Sequence, residues 1–155
     1  MLLGFLLLKK KENEEKRNTV VQEINRILVV RTDRIGDVIL TLPVIAALRH
    51  KFVHAHITLL MRHYTADIVQ GNPDINEIIY DDEGDKEIPL LHQIQNIRAK
   101  KFDVVIVVKP SWRLALLFFF AGIPLRVGTG YRLYSFLLKV HLHSLLLKTF
   151  SPSQN

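Results

Sequence analysis

The chain has 155 residues, 48% of them hydrophobic; that length suits one ordinary domain with a core of its own and excludes disorder over most of it. It has no cysteine, which excludes disulfides and thiolate metal sites, and no apolar run reaches the roughly 18–20 residues that span a bilayer. The net charge of +6 is unevenly placed: residues 1–97 hold 12 basic and 14 acidic side chains, residues 98–155 nine basic ones and one acid, Asp103.

Residues 1–8 are apolar and precede Lys9, Lys10 and Lys11. A secretory signal carries its charge first and ends at a small-residue cleavage site, and this segment does neither. Residues 1–25 therefore read as an extension, either frayed or dipping into a membrane surface with its lysines on anionic headgroups. The globular pattern starts at Arg26. Ile27-Leu28-Val29-Val30 is a short all-apolar run, as in a strand buried on both faces. Thr32 to Gly36 predict a turn, after which Val38, Ile39, Leu42, Ile45, Ala46 and Leu48 recur at helical spacing as far as Arg49. Pro43 fits awkwardly in that helix: either its first turn is distorted, or regular helix begins nearer Thr41. Ile57–Met61 predict a second strand, Tyr64–Gln70 a short helix stopped by Gly71-Asn72-Pro73, and Glu77–Tyr80 a third strand. An acidic turn at 81–85 and a helix over 88–100 follow. Val104–Val108 predict a fourth strand, Trp112–Ala121 an apolar helix, Leu125–Gly128 a short fifth strand and Tyr131–Val140 a further helix.

Strands alternating with helices predict an α/β fold over residues 26–140: a Rossmann-like, mostly parallel sheet of about five strands, flanked by helices and joined by right-handed crossovers. The all-apolar strands 27–31 and 104–108 are expected as central neighbours, since each needs cover on both faces. Residues 141–155 form a divergent tail.

Ligands of such sheets bind beyond the carboxyl ends of the strands. The first such segment is Arg31-Thr32-Asp33-Arg34-Ile35-Gly36-Asp37. Gly36 is expected to let the backbone turn and a ligand approach closely, ahead of free amides at a helix start. Asp37 falls at or near the N-cap, where aspartate is a preferred residue; it is also a carboxylate able to take a proton from a bound hydroxyl. The two roles are compatible. Arg31 and Arg34 flank it, suited to holding Asp33 or Asp37 or to forking onto a phosphate or carboxylate. In the second segment, Lys109-Pro110-Ser111-Trp112-Arg113, Ser111 is a candidate N-cap, and Lys109 and Arg113 are both candidates to face the crevice of Arg31, with a solvated helix residue as the competing reading for Arg113. In the third, Arg126 and Arg132 flank Gly128-Thr129-Gly130, whose exposed amides suit an anion; a lone Gly-x-Gly without a third glycine disfavours a dinucleotide site. The seven histidines read as surface residues; His141 and His143 have a chelating spacing, but no acidic residue follows them and no metal is expected. The basic C-terminal half points either to an anionic partner or to a solubilising surface. It lacks the aromatic-lined groove of a nucleic-acid binder, so no nucleic-acid partner is expected.

Residues Ile27–Pro43, with the Arg31–Asp37 string at their centre and Ala47-Leu48-Arg49 behind, resemble the opening of the ADP-heptose:lipopolysaccharide heptosyltransferase family, glycosyltransferase family nine. His56–Leu60, Asn72-Pro73, Phe102–Ile106 and Arg126-Val127-Gly128 follow in that family's order, so the likeness covers about residues 26–132. The resemblance implies the N-terminal half of a GT-B fold, the acceptor-binding lobe of a two-lobed enzyme at the cytoplasmic face of the inner membrane. It implies inverting transfer without metal or cofactor, from a nucleotide-sugar such as ADP-heptose to an anionic glycolipid or oligosaccharide. Asp37 matches the general base; Arg31, Arg34, Gly36, Lys109, Arg126 and Arg132 are expected around the acceptor. The likeness fades after Val140, where a donor lobe would begin. The lobe is therefore expected to be inactive alone, as a truncation, a frameshift product or half of a split enzyme. The alternative is a non-catalytic module or remnant that binds anionic glycolipid.

Overall fold

Four consecutive branched aliphatic side chains, Ile27 to Val30, leave β1 (Arg26–Arg31) no face that favours water, and all four are buried. In the computed structural model, which describes residues 24–84, 86–109, 111–128 and the pair 140–141, β1 lies between β2 (His56–Met61) and β6 (Val104–Val107). Both neighbours run parallel to it, with Ile27 opposite Ile57 on one side and Val104 on the other. The expected central pairing of the first and fourth predicted strands is what the sheet shows. β3 (Glu77–Tyr80) extends the sheet beyond β2, while β7 (Leu125–Gly128) and the two-residue β8 (Val140–His141) extend it beyond β6, giving the order β3-β2-β1-β6-β7-β8, parallel throughout.

The pleat sends alternate side chains to two separate cores. Ile27, Val29, Ile57, Leu59 and Ile106 pack with Val38 and Ile45 of α1 (Ile35–Lys51). Leu28, Val30, Leu60, Val105 and Val107 pack with Ile97 of α2 (Leu90–Ala99) and with Leu114, Leu117 and Phe118 of α3 (Trp112–Phe120). The helix after β1 and the helix after β6 thus cover opposite faces, which makes the sheet doubly wound.

Several local expectations are corrected. α1 is continuous from Ile35, with Pro43 inside it and no later start at Thr41. Proline there removes only the donor to the carbonyl of Ile39, a half-exposed residue where solvent can take that acceptor. The short helix after β2 is a 3-10 helix, His63–Ile68. The acidic turn is a two-stranded hairpin, β4 (Asp82–Glu83) and β5 (Lys86–Glu87), reversing around Gly84 at φ 67°. Of the helix expected over 131–140, only Val140 is described, and it pairs with Val127 in β8 instead. The extension up to residue 23 and the tail from 142 onward lie outside the described residues.

Asp103, the single acid of the basic half, fastens the amino ends of the two central strands. Its Oδ2 accepts the backbone N–H groups of Asn25 and Arg26, each at 2.8 Å, and its own N–H donates to the Arg26 carbonyl at 3.0 Å. Hydrogen bonds to an ionised group are worth roughly 1.5–3 kcal/mol. Asp103→Ala should lower unfolding free energy by about that amount, read as a drop in urea midpoint at constant slope.

Candidate functional site

In a doubly wound sheet the crevice opens where adjacent strands send their helices to opposite faces. Here that point is the carboxyl ends of β1 and β6. β1 ends in Arg31, and the guanidinium is held between two carboxylates: Nη2 lies 2.8 Å from Asp37 Oδ1, and Nε lies 3.4 Å from Asp33 Oδ2. The second contact is an ion pair without hydrogen-bond alignment, and Arg31 Nε and Asp33 Oδ2 are both buried. Lys109, two residues past β6, brings Nζ to 3.2 Å from Asp33 Oδ1. Tyr64, from the 3-10 helix, donates its hydroxyl to the Asp33 carbonyl at 2.9 Å. Three connections of the sheet therefore meet at Asp33: those after β1, after β2 and after β6.

Asp37 is not the N-cap. Arg34 occupies that position in an extended conformation without a side-chain cap, and Asp37 is the third residue of α1. A carboxylate in the first turn is still favoured by the helix dipole. Thr41, one turn on and buried, donates Oγ1 to the Asp37 carbonyl at 2.9 Å and fixes that turn. The Asp37 side chain is 36% exposed, while Arg31 beside it is 11% exposed. Arg34 and Gly36 are exposed on the same turn. Gly36 is helical and not among the positive-φ glycines, so the expected tight turn does not need it; a Cβ there would meet no atom within 4 Å. What its bareness leaves is open space in front of the first turn.

Beside this cluster lies a second one that the residue pattern did not reveal. Arg113 is not solvated. Its Nη1 bonds both carboxylate oxygens of Asp81 at 2.9 Å, Nη2 donates to the Ile88 carbonyl at 2.7 Å, and Nε lies 3.4 Å from Glu87. Asp82 accepts the His63 N–H at 2.7 Å, and Arg62 reaches Glu87 at 3.5 Å. Asp81 and Asp82 are both buried, so these contacts clip the β4–β5 hairpin against the ends of β2 and β3. Burial pushes the Asp81 carboxyl above its ordinary value, and the opposing pull of the Arg113 guanidinium does not cancel it. Ser111 does cap α3, accepting the Leu114 N–H at 3.3 Å.

The predicted cations are only partly brought together. Arg31 and Lys109 share Asp33. Arg126 is buried within β7, its Nη1 donating to the Ile123 carbonyl at 2.7 Å and its guanidinium 5.5 Å from the Phe119 ring, so it faces the end of α3 away from the crevice. Arg132 lies outside the described residues. A hollow lined by Arg98, Lys101, Phe102, Asp103 and Pro124 also sits at the amino ends of the strands, remote from this chemistry. Among the described residues no group of three histidine or acidic side chains is arranged to hold a metal.

No protein-family model matches the chain. Over 87 residues it is 36% identical to lipopolysaccharide heptosyltransferase 3 of Escherichia coli K12, covering 53% of this chain and 25% of that protein. The glycosyltransferase family 9 structure from Veillonella parvula DSM 2008 superimposes with a TM-score of 0.67 at 29% identity, over 76% of this chain and 35% of that one. The E. coli ADP-heptose LPS heptosyltransferase II structure gives 0.64 at 26% identity, over 74% and 34%. The chain thus spans about a quarter of the curated relative it matches and a third of these structures. Its fold is the Rossmann-like half of a GT-B glycosyltransferase. Over the matched residues the chain is similar to part of the lipopolysaccharide heptosyltransferases and of glycosyltransferase family 9.

The raised Asp81 carboxyl has a definite consequence for stability. A carboxyl raised in the fold stabilises fully below its ordinary value of 3.8, and that contribution is lost as pH rises through the folded value. Asparagine mimics the protonated form. The stability of Asp81→Asn relative to the parent should therefore increase as pH is raised from 3.8 toward neutrality. Urea titrations at several pH values read this, and a difference moving the other way would mean that the Arg113 pair outweighs burial.

Proposed function

We propose that this lobe serves a heptosyltransferase-type glycosyltransferase, binding an anionic lipopolysaccharide-core acceptor at its crevice with Asp37 as general base. The carrying observation is the Asp37 carboxylate: partly exposed in the first turn of α1, at the switch point of the sheet, and held by Arg31 at 2.8 Å. In the reaction, an acceptor hydroxyl attacks the anomeric carbon of a nucleotide-activated sugar such as ADP-heptose. The proton of that hydroxyl passes to Asp37, and the bond to the diphosphate breaks with its electron pair leaving on the phosphate oxygen, inverting the centre. Lys109, 60% exposed, and Arg34 supply positive charge for acidic sugars or phosphates at the rim. Donor binding belongs to a second lobe, which the described residues do not include. Among the described residues no helix is long and apolar enough to cross a membrane; a cytoplasmic lobe at the inner face of the membrane suits a glycolipid acceptor.

Asp37→Asn in the transferase containing this lobe should fold normally, since the amide keeps size and shape. It should lose at least roughly a hundredfold in turnover, the usual scale of a general base. Unchanged turnover would leave Asp37 as a partner of the helix dipole only. Gly36→Ala separates stability from function at the same turn. It should raise unfolding free energy by about 0.5–1 kcal/mol, because glycine in a helix is that much less favourable than alanine. It should also weaken acceptor binding in calorimetry by filling the open space before the helix.

A further inference from the structure

We infer that Asp33 is a positioning residue of the transfer site: it takes up the charge of Arg31 and Lys109 so that Asp37 keeps an oxygen available for the acceptor proton. The inference rests on the reading of Asp37 as the base. Besides Arg34 at the rim, four charges are in mutual contact at the crevice, two of each sign, and Asp33 is the one that both of these cations touch, at 3.4 Å from Arg31 Nε and 3.2 Å from Lys109 Nζ. Asp37 takes only Arg31 Nη2.

The Asp33 side chain is 18% exposed and cannot lean on bulk water for its charge. Its Oδ2 meets Arg31 without hydrogen-bond alignment, so what it offers the guanidinium is charge rather than a directed bond. The loop itself is tied elsewhere, through the Asp33 main-chain carbonyl and Tyr64, which a side-chain substitution leaves in place. With Asp33 neutral, two cations would be left with one carboxylate. Arg31 would move onto both Asp37 oxygens, the bidentate geometry that guanidinium prefers, and occupy the one that receives the proton.

The test is steady-state kinetics of the transferase containing this lobe, comparing Asp33→Asn, Asp33→Glu, Lys109→Met, the Asp33→Asn/Lys109→Met double variant and Asp37→Asn. Small misplacements at a reacting centre cost roughly a hundredfold. Asp33→Asn should therefore lower kcat by roughly ten- to a hundredfold while the acceptor KM moves less than threefold. Asp33→Glu, which keeps the charge, should recover most of the kcat. In the double variant, removing the surplus cation should raise kcat several-fold above Asp33→Asn alone, although loss of Lys109 raises KM. A merely structural Asp33 gives no such recovery, since two lesions in one loop add. The inference is overturned if Asp33→Asn keeps parental kcat, if glutamate fails to rescue, or if the double variant is no faster than Asp33→Asn. If Asp37→Asn itself retains parental kcat, the base assignment fails, and that result is distinct from any of these.

Discussion

The constraint on which the structure depends is the burial of β1 on both faces. Residues 27–30 are at most 1% exposed, so this strand can carry polarity only at its ends. Its amino end is fastened by Asp103 to the start of β6. Its carboxyl end emerges at Arg31. Between them the apolar run places every polar group where helices and loops begin, and so confines chemistry to the edges of the sheet. Because β2 and β6 flank β1 in parallel, their connections open at the same edge, and Tyr64 and Lys109 reach Asp33 without any long loop.

The reversal of strand order gives that edge its shape. α1 covers the face of Val29, and α2 and α3 the face of Leu28 and Val30. Among the described residues, α1 and α3 thus leave the ends of β1 and β6 toward opposite faces, with the first turn of α1 and the start of α3 on either side of that edge. That edge presents helix amides, an exposed glycine and a carboxylate gripped by arginine. The hairpin clip beside it has a different character. Asp81 is buried and bonded by the mostly covered Arg113, so the pair fixes the structure next to that edge.

Much of the architecture was legible because it follows from short apolar runs with clear stops. The five main strands, the central pairing of β1 with β6 and the Ser111 cap all came from composition and spacing. What was not legible depended on contacts between distant residues. Arg113 reads as a solvated helix residue because its partner Asp81 lies 32 positions earlier, in what looks like an acidic turn. Arg126 reads as a crevice cation because it stands near a strand's end, but the pleat turns it toward Phe119 and Ile123. Asp37 reads as at or near the cap because Thr32 to Gly36 look like a turn; the helix takes in Ile35 and Gly36, so the cap itself falls on Arg34. Asp33 had one sequence signal, an Arg-x-Asp spacing at a strand's carboxyl end, and its meeting with Lys109 required the fold.

The charged cluster is hard to explain as a device for stability. A guanidinium that is 11% exposed costs several kcal/mol to desolvate, and replacing buried ion pairs with well-packed apolar side chains is often neutral or stabilising. Apolar residues in the places of Arg31 and Asp33 would be mostly covered, next to the buried run of β1. A glycine in the first turn of α1 adds a further cost with no steric demand for it. These choices are made on one turn and one strand end, while the rest of the sheet follows ordinary packing. Departures from local stability that gather in one place are expected at functional sites, and here they gather at the switch point of the sheet, the place to which the proposed transfer chemistry is assigned.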